Sequence, residues 1–463
     1  MRSRNLAWML LVIAFSGASL AWLVSAQTIP APPPPVLSGN LPATVVIPKG
    51  VTTPDQARPF FDYFSWESFI ALNWPNVSGQ NGVPNQPGTP SVFQKTANGS
   101  VLVWTTYKES FDLFGQGTNR PPAWNSNTLP VNPCQGSRVG SPLLVMAAKG
   151  GELITSPPNE AFSVPLIDQN NNYVYFDILF NQDQYNFIRG ADTNPPSWLY
   201  LVKNLAAKEP LTMPTRSTNY PASGSVQGSI MLKTAWRRMT SKDAGCTTSP
   251  LGASCRYYVT QAQVYDSSSK TCSTVPMGLI GMHVVQKLKD FPEWIWSTFE
   301  QVDNVQLGTG APAGTPISLN NGTNQPATIG GWAGRPAAPV PPLLPANQRK
   351  PVQVTRYNPI PASTATLNGT FQKAVGGTVW RYYQLIFTQW PSNPTAFKTF
   401  ENQGIYPKDC GAAFPANGVT NVSAETYFQS RNDAQGAGGN SCMSCHYRAD
   451  QADFSWSLLR GAH

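Results

Sequence analysis

Charge is scarce in this chain of 463 residues: Asp, Glu, Lys and Arg together make up 12% of it. So little charge disfavours bundles of long, solvated helices. The formal net charge is +8, but the basic residues are scattered and form no dense Lys/Arg run, so the chain carries no nucleic-acid footprint. Histidine is scarcer still, with three in the whole sequence. No Gly-x-Ser-x-Gly elbow, no phosphate-binding or dinucleotide glycine motif and no internal repeat occurs. These absences exclude a hydrolase of the serine-triad type, a nucleotide-binding enzyme and a solenoid.

Turn formers and large aromatics are abundant: 44 Pro, 37 Gly and 11% Phe, Trp and Tyr. Such a composition predicts a loop-rich chain held by aromatic anchors, with strands in preference to helix bundles. The N-terminus reads as an export signal. Arg2 and Arg4 form a basic start, Leu6 to Leu23 is apolar, and Val24-Ser25-Ala26 is a small-residue cleavage site. The small triplet argues against an uncleaved anchor, so no membrane span is expected after cleavage, and the location is periplasmic or extracellular.

The most specific stretch lies near the other end, Ser441-Cys442-Met443-Ser444-Cys445-His446. Cys-x-x-Cys-His is the attachment signature of a c-type haem. Two thiols at that spacing can each form a thioether to one haem vinyl group, and the following imidazole, His446, becomes the proximal iron ligand. A simple disulfide is the plain alternative. A zinc site is disfavoured because no second Cys or His pair stands at ligand spacing. Attachment of haem c outside the bacterial cytoplasm agrees with the signal. One covalent haem c is therefore the expected cofactor. Of the seven Cys, Cys134, Cys246, Cys255, Cys272 and Cys410 remain. In an oxidising compartment two disulfides and one leftover thiol fit, with one pair among Cys246, Cys255 and Cys272.

The organisation follows from the punctuation. Residues 1–26 are the signal and 27–55 a Pro-rich tether. A β-rich core domain is expected over 56–305, a Gly/Pro-rich loop or linker over 306–350, and a haem-bearing segment packed on the core over 351–463. A helix is predicted from Asp55, as cap, to Trp74, stopped by Pro75. Strands are predicted at Val101–Trp104, within Ser229–Met239, at Arg256–Tyr265 and at Met277–Leu288, the last two forming a hairpin around a polar turn at 266–276. Val379 to Trp390 is a strong apolar element, Pro292–Glu300 reads as strand or short helix, and Asn421–Gln429 as helical. The fold class expected is α+β, mainly antiparallel β with short helices and long loops. A self-standing cytochrome c domain is not expected. Its motif stands near its beginning, whereas the stretch after His446 is short, has no Met, and offers only His463 as a further ligand. Either upstream segments enclose the haem, or its sixth position is open.

Several further stretches accompany the motif: SWESFIALNWP (65–75), PLIDQNNNYVYFDILFNQ (165–182), IMLKTAWRRM (230–239), MGLIGMHVVQKL (277–288), PEWIWSTFEQVDN (292–304), TQWP (388–391) and NVSAETYFQ (421–429). In this combination the chain resembles a family of exported bacterial proteins of the cytochrome c family with a C-terminal Cys-x-x-Cys-His motif. The resemblance covers most of the chain after the signal. It implies His at the position of Gln301, so no haem or metal ligand is expected there in this chain.

His283 is the most informative residue outside the motif. Alternation along its strand puts Leu279, Gly281, His283 and Val285 on one face, and Gly281 would leave room for a flat group. His283 is the candidate distal residue, as sixth ligand or as acid/base; a hydrogen-bonded core histidine is the bland alternative. Met277 and Met282 compete as axial ligands, though Met more often fills core. Arg448, two residues past His446, is the candidate partner for a haem propionate, ahead of Arg237, Arg238 and Arg381. Glu300 and Asp303 are too few for a metal site and read as ion-pair partners. The functional expectation is single-electron transfer with a periplasmic redox partner. The alternative is a haem enzyme, peroxidase-like or oxygenase-like, with an open or displaceable sixth site.

Overall fold

The computed structural model describes residues 30–96, 100–115, 118–126, 134, 143–144, 165–190, 198–199, 204, 211–243, 245–247, 255–266, 271–323, 346–391, 413–415, 418–429 and 441–461. The expected signal segment, Cys410 and His463 lie outside them, as does the side chain of Arg448. Nine strands occur among the described residues: β1 (Lys108–Glu109), β2 (Leu143–Leu144), β3 (Tyr175–Phe180), β4 (Ile230–Arg238), β5 (Val259–Asp266), β6 (Thr271–Leu288), β7 (Phe291–Gln301), β8 (Tyr383–Pro391) and β9 (Ala413–Phe414). They form one mostly antiparallel sheet of order β1-β3-β4-β6-β7-β8-β9. β5 pairs with the first half of β6, and β2 runs parallel to β5.

β6 is buried at almost every position from Val275 to Leu288. A strand reads as a continuous apolar run when both of its faces are covered. Two helices, Pro54–Leu72 and Ala362–Ala374, cover one face. Aromatic pairs hold the first of them down: Phe61 stacks on Trp390 of β8 at 3.9 Å, Phe69 on Phe299 of β7 at 4.2 Å, and Trp66 on Phe371 of the second helix at 5.1 Å. Each such pair contributes about 0.5–1.5 kcal/mol beyond its buried area. The Trp66 indole N–H donates to Asn368, and Asn368 in turn donates to the Leu385 carbonyl of β8. C-terminal segments, residues 418–429 and 441–461, lie on the other face, as their contacts below establish.

The first helix begins two residues earlier than expected. Thr53, not Asp55, is its cap, in a capping box with Gln56, and Pro54 fills the first turn where no N–H is needed. Asp55 instead pairs with Arg58. β4, β5 and β6 lie where strands were expected, with β5 and β6 forming the hairpin. The polar stretch expected as turn is shorter, because β6 already starts at Thr271. Residues 291–301 are strand, not helix. Val101–Trp104 is no strand: Leu102 makes a single bridge to Pro75, and the chain turns into a 3-10 helix at Trp104–Thr106. Of Asn421–Gln429 only Thr426–Phe428 is helical. Leu41, in the Pro-rich segment, is buried and backbone-paired with Tyr220.

Among the described residues two disulfides occur, Cys134–Cys272 and Cys246–Cys255. Glu300 pairs with Arg356, and Asp303 takes Arg256 through two bonds of 2.7 and 2.9 Å, so both acids serve ion pairs. Among the described residues no helix is long and apolar enough to cross a membrane.

Candidate haem-attachment site

Antiparallel register lays two transverse rows of side chains across the sheet. One row runs Ile178 (β3), Lys233 (β4), His283 (β6), Thr298 (β7); the next runs Met231 (β4), Val285 (β6), Trp296 (β7), Gln389 (β8). Alternation puts both rows on the same face, away from the two helices. Above them a cleft of about 750 Å³, its open mouth included, is lined by Ile178, Met231, Lys233, His283, Val285 and Trp296 from below.

Cys442, Cys445 and His446 line the same cleft. They sit on the one-turn helix Cys442–His446, where positions i, i+3 and i+4 share a face. Met443 takes the opposite face and is buried in the core, and its backbone N–H donates to Gln389 of the second row at 2.8 Å. Neither Cys442 nor Cys445 is in a disulfide. Burial, with Glu425 and Cys445 nearby, pushes the Cys442 thiol well above its ordinary value.

His446 is held from two sides. Its Nδ1 lies 2.7 Å from the Phe454 carbonyl, and its ring packs on Trp296 at 4.3 Å and 53°. A carbonyl can only accept, so Nδ1 carries the proton, and in the neutral ring the lone pair is then on Nε2. This is the tautomer a metal-binding imidazole needs. The Trp456 indole donates to the Cys445 carbonyl at 3.0 Å, closing the turn after the motif.

Across the cleft, His283 Nε2 lies 2.9 Å from Glu425 Oε1, with Lys233 Nζ 3.8 Å from the same oxygen. Burial alone would raise Glu425, but His283, Lys233 and the Asn421 N–H outweigh it and hold the carboxyl down to about 2. The cleft thus combines apolar walls and one fixed carboxylate with a histidine and a lysine beside it.

Cys442, Cys445, His446 and His283, distant in sequence, therefore meet in one cleft. Arg237, Arg381, Met277 and Met282 do not join them. Arg237 is buried against Asp243 and Asp168, and Arg381 lies over Tyr382. Met282 belongs to the core, while Met231 lines the cleft. The room expected at Gly281 is already filled: a Cβ there would meet Ser423 Oγ at 2.1 Å and Asn421 Oδ1 at 3.3 Å. Gly281 admits the 418–429 loop, which carries Glu425, and not a flat cofactor edge. Sequence reasoning missed Glu425, Lys233 and Trp296. Glu425 and Trp296 stood in quoted stretches without a role, and nothing in local pattern pairs either with a residue more than a hundred positions away.

No group of three or more metal-ligating side chains occurs among the described residues. Attachment of a haem c calls for two thiols and one imidazole, and Cys442, Cys445 and His446 offer that donor set on one helix face. No protein-family model, no curated protein and no solved structure matches the chain.

Proposed function

We propose that this protein is an exported c-type haem protein that carries one covalent haem in the cleft above β4, β6 and β7 and passes single electrons to and from a periplasmic redox partner. One observation carries the reading: the three motif residues line a single apolar cleft, with the His446 proton committed to the Phe454 carbonyl. Cys442 and Cys445 would hold the haem through thioethers, and His446 Nε2 would bind its iron. When bound, haem supplies a one-electron iron couple. The chain's part is to orient the imidazole through Phe454 and Trp296, and to exclude water with Ile178, Met231, Val285 and Val419. Two disulfides support an oxidising compartment.

The His283–Glu425 pair favours a second reading, a haem enzyme acting on a small oxidant such as a peroxide. An imidazole backed by a carboxylate can hold and return a proton inside a largely apolar cleft. The same pair argues against His283 as an iron ligand through Nε2, because that nitrogen is already bonded to Glu425. Absorption spectra of the oxidised and reduced protein, with and without carbon monoxide, separate the two. A low-spin iron indifferent to carbon monoxide supports the carrier, and a high-spin iron that binds it supports the enzyme.

A further inference from the structure

Five non-glycine residues among those described have a left-handed backbone, and three of them meet at one point: Trp294 (φ 71°), Asp453 (φ 51°) and Phe454 (φ 64°). For bulky residues such as Trp and Phe this conformation is strained, and it persists only where the surroundings over-determine it. Here they do. Lys287 Nζ lies 2.5 and 2.6 Å from the two Asp453 carboxylate oxygens, and both side chains are almost wholly buried. The Trp294 indole N–H reaches Asp453 Oδ1 at 3.4 Å, and the Met213 backbone N–H donates to Asp453 Oδ2 at 2.7 Å. Lys287 also donates to the Pro292 carbonyl at 2.8 Å. The residue held next in line, Phe454, is the one whose carbonyl accepts the His446 Nδ1 proton.

We infer that Lys287 and Asp453 are positioning residues for the proximal histidine: their ion pair clamps the strained turn that aims the Phe454 carbonyl at His446. A firm acceptor on Nδ1–H raises the basicity of the coordinating nitrogen. A more basic imidazole stabilises the oxidised iron, so the clamp sets a lower midpoint potential than a loose turn would. This rests on the haem reading above and goes beyond it by naming how the sheet tunes the site.

The test is the midpoint potential of haem-loaded protein, for wild type, Lys287→Met, Asp453→Asn and the charge-free pair Lys287→Met/Asp453→Leu. The clamp predicts that all three variants keep covalent haem and shift the potential upward, with Asp453→Glu returning toward wild type. The paired variant leaves no orphaned buried charge, so it keeps the test open if a single variant does not fold. Asp303→Asn, at a buried ion pair outside the cleft, should lower stability and leave the potential where it was. Shifts of opposite sign for Lys287→Met and Asp453→Asn would mean a Coulomb effect alone and would overturn the inference. So would an unmoved potential in the paired variant. A wild-type protein without covalent haem would instead remove the haem reading itself.

Discussion

His283 Nε2 and Glu425 Oε1 lie 2.9 Å apart, joining a strand in the middle of the sheet to a loop that precedes the Cys-x-x-Cys-His motif. The strand is rigid and the loop is packed against it at Gly281, so the pair is preset. His283→Ala is expected to leave covalent haem and its spin state unchanged, because the nitrogen facing Glu425 is not available to the iron. Stability should fall by about 1–3 kcal/mol as Glu425 loses its nearest partner. If the second reading holds, peroxide turnover should also fall by roughly 10²–10⁴. A low-spin to high-spin conversion in the absorption spectrum would show that His283 does bind iron.

Stability should pass through a maximum with pH. Burial lifts Asp62 to about 6 and Glu67 to about 7, above their ordinary 3.8 and 4.5. The folded state therefore binds their protons more tightly than the unfolded chain, and stability is gained as pH falls through that window. Glu425 runs the other way. Held at about 2 against an ordinary 4.5, it contributes stability above 4.5 that is lost as pH falls toward 2. Denaturant midpoints across pH should show Glu425→Gln flattening the acid limb, a loss on the order of 3 kcal/mol at neutral pH. Asp62→Asn with Glu67→Gln should flatten the neutral limb. Unchanged limbs in these variants would refute the assignment.

Gly281→Ala should destabilise the protein by about 1–3 kcal/mol, since the new methyl overlaps the Ser423 hydroxyl. Removing that hydroxyl in Gly281→Ala/Ser423→Ala should recover part of the loss in a thermal melt. No cost from Gly281→Ala would mean that the 418–429 loop does not lie on β6 as described.

The two disulfides should differ in worth. Cys134–Cys272 spans 138 positions and Cys246–Cys255 spans 9. Chain entropy then predicts about 4–5 kcal/mol for the long loop and about 2–3 for the short one, compared by paired Cys→Ser replacement. Equal costs would count against this ordering.

Much of the sheet was legible in the sequence. β4, β5 and β6 announce themselves by β-branched and aromatic runs between turn residues, and the hairpin follows from the polar stretch between Tyr265 and Met277. The Cys-x-x-Cys-His spacing was visible because it is local: two thiols and an imidazole within five positions. The rest of the site depends on register. Lys233 stands beside His283 and Trp296 beside Val285 only because antiparallel pairing aligns them. Likewise nothing in the local sequence singles out Asp453, and its ion pair with Lys287 joins positions 166 apart. The cap moved from Asp55 to Thr53 because Thr53 has an extended backbone, and its hydroxyl accepts from Gln56.

Covalent haem is the measurement on which the account stands. Purified from a host that attaches haem c, the wild-type protein should keep its haem stain on a denaturing gel, and Cys442→Ala/Cys445→Ala should lose it while still folding. A wild-type protein that emerges from such a host without covalent haem would contradict the account.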